Sequence, residues 1–109
     1  MRSYRMDPLT AFMDTFCRYL RDRGVMALSM ARATGQRRLR ISLYGLWRRH
    51  EAEETGYMRF MDVVEELLRC GECLEKLREK GVEKIDASSK EPYMVVDVDK
   101  LQQLLRECR

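Results

Sequence analysis

Four cysteines, a single histidine and a run of arginines are the side chains of this 109-residue sequence with most chemistry to offer. Cys70-Gly-Glu-Cys73 has the spacing of a metal or redox motif, and Cys17 and Cys108 stand far from it on either side. On a helix, positions i and i+3 share a face, so both thiols of the pair turn the same way. A four-thiolate zinc or iron–sulfur site usually draws on two short-spaced pairs. Here there is one pair and two singletons, so neither a metal nor a cofactor is expected. Buried free thiols are the ordinary use of such residues inside a cell, and disulfides the other. Cys17 and Cys108 lie on apolar helix faces that burial brings against the 57–80 segment. One of Cys70 or Cys73 is therefore expected to bridge to Cys17 or Cys108. A Cys70–Cys73 bridge is disfavoured, because a helix holds such a pair in poor disulfide geometry.

His50 has no companion nucleophile or second ligand, and its place in an Arg-rich helix end suits the helix dipole. The carboxylates of the second half are scattered at helical spacings, as on solvated faces. No Gly-rich phosphate loop and no nucleophile elbow is present. An enzyme is not expected.

The charge is split along the chain. Residues 1–50 carry eleven Arg and three Asp, a net +8, and residues 51–109 carry −5, giving +3 for the whole. The excess is densest where Arg32, Arg37, Arg38, Arg40, Arg48 and Arg49 bracket Tyr44 and Trp47 with no acidic residue between. Arginine donates bidentately to phosphate and stays charged at any working pH. A basic face beside an acidic body points to a polyanion, with double-stranded DNA the expected partner. Salt bridges to the acidic half are the competing use of the same residues. Tyr44 and Trp47 offer rings for base stacking, but their spacing beside Leu43 and Leu46 favours a place in the core.

Asn is absent and Arg outnumbers Lys sixteen to five, a leaning toward a thermophilic, archaeal or viral source. No apolar run approaches the ~18 residues that span a bilayer. The basic start, Met1 to Arg5, leads into a helix signal without a signal-peptide stretch, so an intracellular, cytoplasmic protein with no membrane partner is expected.

The elements that must position these side chains follow from periodicity and punctuation. Asp7-Pro8 is an N-cap followed by Pro at the first helical position. Leu9, Phe12, Met13, Phe16 and Leu20 then form one apolar stripe of a helix ending before Gly24. Val25 to Thr34 reads as a short helix stopped by Gly35, and a third runs from about Arg37 to Glu53. After a polar turn, 57–80 is helical again until Gly81. Residues 82–86 and 93–98 form a hairpin around a Ser-Ser-Lys-Glu-Pro turn. Asp99 caps a last helix whose face is Leu101, Leu104, Leu105 and Cys108. The expectation is one domain over 1–109: a basic three-helix region (7–53), a long or broken helix (57–80), a hairpin (82–98) and a helix (99–108). Its class is α+β, mostly helical.

Helices followed by a hairpin resemble the winged-helix branch of the helix-turn-helix superfamily. Two placements compete. In the first, the bihelical unit is Ala27–Leu46, with Ala31, Gly35 and Ile41 at the family's small, turn and buried positions. That puts the arginines on or beside the recognition helix, although Gln36 sits where an apolar residue is usual. In the second, the unit is Met61–Lys80 and feeds a wing made by the 82–98 hairpin. Glu72, Glu75 and Glu79 then face phosphate at a Coulomb cost. A third possibility is a single unbroken helix over 57–80, with Phe60, Val63, Leu67, Cys70, Leu74 and Leu77 as a heptad seam. Such a seam packs internally or pairs two subunits. The resemblance implies DNA binding in transcription regulation or genome maintenance; the seam implies a protein-interaction or homodimerisation module instead.

Overall fold

Asp7 and Pro8 open the first helix as their order predicts. The Asp7 carboxylate accepts from the Thr10 N–H at 2.8 Å, and Pro8 occupies the first turn, where its missing N–H costs nothing. The computed structural model describes residues 5–108, so most of the basic start and residue 109 lie outside it.

Helix α1 (Pro8–Ala33) buries Phe12, Phe16 and Leu20 of the expected stripe together with Ala11 and Thr15, while Leu9 and Met13 are half-buried. It does not stop at Gly24, and the separate helix over Val25 to Thr34 is its continuation. Gly24 is buried within the helix because it lets a neighbouring helix approach, a contact role and not a terminating one. The helix ends at Gly35, whose φ of +70° is the left-handed conformation that favours glycine.

The expected third helix over Arg37 to Glu53 is a strand and two short helices: β1 (Arg38–Ser42), α2 (Leu43–Trp47) and α3 (Ala52–Thr55). Residues 7–53 are thus not the three consecutive helices expected but one long helix, a strand, a short helix and the start of another. In β1, Ile41 is buried and Leu39 half-buried while Arg38, Arg40 and Ser42 are exposed, the period-two alternation of a strand with one face inward. Its pairing partner comes from the far end of the chain. The helix-turn-helix placement over Ala27–Leu46 is therefore overturned, since its second helix is mostly strand.

The 57–80 segment is broken, not continuous. Helix α4 (Phe60–Leu68) ends at Arg69, and α5 (Gly71–Lys80) starts from Cys70, whose extended backbone (φ −109°, ψ 94°) interrupts the helix. The break redirects the seam so that Phe60, Val63, Leu67 and Leu77 all reach the interior. Gly81 then turns the chain with φ +111°.

Strands β2 (Val82–Asp86) and β3 (Tyr93–Asp97) form the expected hairpin. The Asp86 carboxylate holds the turn by accepting from the Ser88 and Ser89 N–H groups. The sheet is antiparallel in the order β1-β3-β2, with Arg38 opposite Asp97 and Ser42 opposite Tyr93. The last helix, α6 (Val98–Glu107), is capped by Asp97, not Asp99, through the Lys100 N–H at 3.1 Å. Its face, Leu101 and Leu104, closes on α1. The core has Phe12 between Phe16 and Phe60, at ring separations of 6.1 and 5.9 Å. The domain is α+β and mostly helical, with a C-terminal hairpin and final helix, compatible with a winged-helix arrangement without being diagnostic of one.

Candidate interaction surface

The six arginines of the basic stretch do not converge. Arg32, near the end of α1, donates to the Gln102 side chain on α6. Arg38 pairs with Glu83 at 2.6 Å, and that bond, reinforced by the carboxylate charge, raises the pKa of its guanidinium. Arg40 lies 3.6 Å over the ring of Tyr93, on the outer face of the sheet. Arg49 pairs with Asp22 at 3.0 Å, donates to the Gly45 carbonyl and covers Tyr19. Arg37 and Arg48 are exposed and make no ion pair among the described residues. The stretch is thus shared among three places, and part of its charge is answered within the molecule. The cause is that the stretch spans three elements, the end of α1, strand β1 and the end of α2; Arg38 and Arg40, two apart in β1, share its outer face, while Arg32 and Arg49 lie elsewhere.

Tyr44 and Trp47 are exposed by 41% and 45%, and so are not core. On the short helix α2 the inward positions belong to Leu43 and Leu46, both fully buried. Tyr44 and Trp47 follow each by one residue and turn outward together, with ring centroids 5.8 Å apart. Gly45 lets this helix lie close on α1, for a Cβ there would stand 3.0 Å from the Tyr19 ring. A shallow depression of about 630 Å³ opens between α1 and α2, lined by Tyr19, Asp22, Arg23, Ser42, Tyr44 and Arg48.

Along α1, Tyr19, Arg23, Met26 and Met30 recur at intervals of four, three and four, which places them on one face. Met26 and Met30 are exposed by 60% and 63%, and the neighbouring Val25 by 71%. Tyr44 lines the depression with Tyr19, Arg23 and Arg48, and Met26 and Met30 continue the Tyr19–Arg23 face of α1 beyond it, whereas Val25 lies on the side toward α6. Sequence patterning hid this surface, because period and hydrophobicity alike assign such residues to a core.

The apolar seam, by contrast, is the interior. Phe60, Val63, Leu67 and Leu77 are at most 1% exposed, so of the two uses expected for the seam these four side chains take the internal one. They pack within the chain because the break at Cys70 lets two short helices wrap α1 where one long one could not.

The thiols pair otherwise than expected. Cys17 bridges to Cys108, tying α1 to the end of α6, and Cys70 bridges to Cys73. The objection to an i, i+3 bridge fails because Cys70 is the N-cap of α5, outside the helix proper, with the two Cα atoms 5.2 Å apart. His50 donates from Nε2 to the Tyr57 carbonyl at 2.8 Å and packs on Phe60, a structural role. Among the described residues no group of three or more His, Cys, Asp or Glu side chains is arranged to hold a metal ion, and no helix is long and apolar enough to cross a membrane. No family model, curated protein or solved structure gives a significant match to the chain.

Proposed function

We propose that this chain is a protein-interaction module that pairs two of its copies through the α1–α2 face. The exposure of Tyr44 and Trp47 beside the Met26–Met30 stripe carries this reading. Monomers rarely expose contiguous apolar patches larger than a few hundred Å². Aromatic residues, Met and Arg are enriched at interface centres and Lys is depleted. This face has the former and no lysine; the five lysines lie on α5, the hairpin and α6. The four–three–four spacing reads the same in both directions, so an antiparallel pair about a two-fold axis sets the stripe against itself. In that pairing Met30 meets Tyr19 of the other copy, and Met26 covers the aliphatic stem of Arg23.

Trp47 is the single tryptophan, so its emission reports on this face directly. Sedimentation equilibrium is expected to give a dimer whose dissociation is accompanied by a red shift of Trp47 emission. Met26→Glu with Met30→Glu should leave a folded monomer. A wild-type protein that stays monomeric at high micromolar concentration would remove this reading.

A second reading, nucleic-acid binding, is supported by a specific arrangement. The helix pair α4–α5 followed by the β2–β3 hairpin, with β1 completing the sheet, resembles a winged-helix unit in the Met61–Lys80 register. Regulation of transcription or genome maintenance in the cytoplasm would follow from it. Helix α5 carries Glu72, Glu75 and Glu79 against Lys76, Arg78 and Lys80, so it attracts phosphate poorly. The contacts would fall to Arg37, Arg40 and Arg48, with Trp47 stacking on a base. Binding to random duplex DNA that weakens steeply with salt, and whose log-salt slope flattens by about three in Arg37→Ala, Arg40→Ala, Arg48→Ala, would favour it over pairing.

A further inference from the structure

We propose that the Cys70–Cys73 bridge is a reversible thiol–disulfide exchange site, opened by dithiols in the folded protein, while Cys17–Cys108 is the structural bridge. The two differ first in what they constrain. Cys17 and Cys108 are 91 residues apart in sequence and join α1 to α6, whereas Cys70 and Cys73 are three apart. Closing a three-residue span removes little freedom from the unfolded chain, so this bridge adds little to the fold that carries it.

They differ next in reach. In the long bridge Cys17 is half-buried but Cys108 is only 3% exposed, between α1 and α6, while Cys70 and Cys73 are both half-buried on the turn between α4 and α5. A dithiol can reach that turn without separating two packed helices.

The third difference is the position of Cys70. Its Sγ is the N-cap acceptor of α5, 3.1 Å from the Cys73 N–H. A helix N-terminus favours negative charge, so it favours Cys70 as a thiolate. The same sulfur can go on capping the helix after the bridge opens. The exposed Arg69 next to it in sequence adds a cation on the same turn.

The exchange balances as follows. A thiolate of the reductant attacks Cys73 Sγ, the Sγ–Sγ bond breaks, and Cys70 leaves as the thiolate held at the N-cap. The second thiolate of the reductant attacks its own sulfur in the mixed disulfide and releases Cys73. Two electrons pass to the protein and the dithiol leaves as a disulfide; of its two protons one ends on Cys73 and the other goes to solvent, Cys70 staying a thiolate.

The oxidised chain is equilibrated at neutral pH in mixtures of reduced and oxidised dithiothreitol, quenched with acid, alkylated, and mapped by peptide mass. Cys70 and Cys73 are expected to open together at a ratio of reduced to oxidised reagent at least ten-fold below that needed for Cys17 and Cys108, with unchanged far-UV circular dichroism. Opening of both bridges at one ratio, or of Cys70–Cys73 only as the helix signal is lost, overturns the proposal. In the opened native protein, iodoacetamide should label Cys70 several-fold faster than Cys73; equal or reversed rates overturn the N-cap role. The double change Cys17→Ser, Cys108→Ser should leave the ratio for the 70–73 pair unmoved. If that variant does not fold, the wild-type titration decides alone.

Discussion

Gly24 of α1 lies directly under Leu105 of α6: a Cβ at position 24 would stand 2.3 Å from Leu105 Cδ2 and 3.2 Å from Leu20 Cδ2. The contact explains how a glycine sits in mid-helix despite a propensity cost of about 1 kcal/mol. The close approach also sets where α6 rests, and so where Cys108 meets Cys17.

A side chain at 24 therefore acts against α6. Gly24→Val is expected to destabilise by about 1–3 kcal/mol through overpacking. With Leu105→Ala already present, Gly24→Ala should instead stabilise, because the clash is gone and the helix gains propensity. Urea unfolding of the cycle measures both signs. Additive effects would mean that the two residues do not touch.

The two faces of α2 should respond differently to truncation. Leu46→Ala removes a fully buried side chain and is expected to cost about 2–5 kcal/mol. Trp47→Ala, half in water, should cost under about 1 kcal/mol in the monomer. Equal losses in chemical denaturation would place Trp47 in the core after all.

The long-range bridge should dominate the redox dependence of stability. Spanning 91 residues of sequence, Cys17–Cys108 is expected to contribute about 4 kcal/mol by the chain-entropy account. Cys108→Ser should lower the melting temperature by far more than the pair Cys70→Ser, Cys73→Ser. Reductant should lower that of the wild type and leave Cys108→Ser nearly unchanged. A wild-type melt insensitive to strong reductant would contradict this.

Acid should weaken the start of α1 in a defined direction. The Thr10 N–H, then its hydroxyl, hold the Asp7 carboxyl below its ordinary value. A folded value below the unfolded one means that the contribution is complete above the unfolded pKa and is lost as pH falls through the folded one. Asp7→Ala is expected to cost about 1 kcal/mol at neutral pH. The gap between variant and wild type in denaturation midpoint should close in strong acid. A gap independent of pH would mean that the carboxylate charge does not matter to the cap.

The N-terminal stripe, the hairpin and the last helix were legible because each is a local matter. Asp7 and Pro8 cap within four residues, Phe12, Phe16 and Leu20 repeat at helical spacing, and the Asp86–Ser89 turn bonds to itself. The sequence also determined the charge split and the mostly helical α+β class. What it could not decide depended on partners distant in the chain. Leu39 and Ile41 alternate with Arg38 and Arg40, but a five-residue alternation becomes a strand only when β3, more than fifty residues on, supplies its hydrogen bonds. Gly24 reads as a stop until α6 packs on it. Tyr44 and Trp47 read as core until Leu43 and Leu46 take the inward positions of a helix too short to bury more. The cysteine pairing was undetermined for the same reason. A bridge requires two Cα atoms within reach, and only the packing of α6 on α1 and the break before α5 fix those distances.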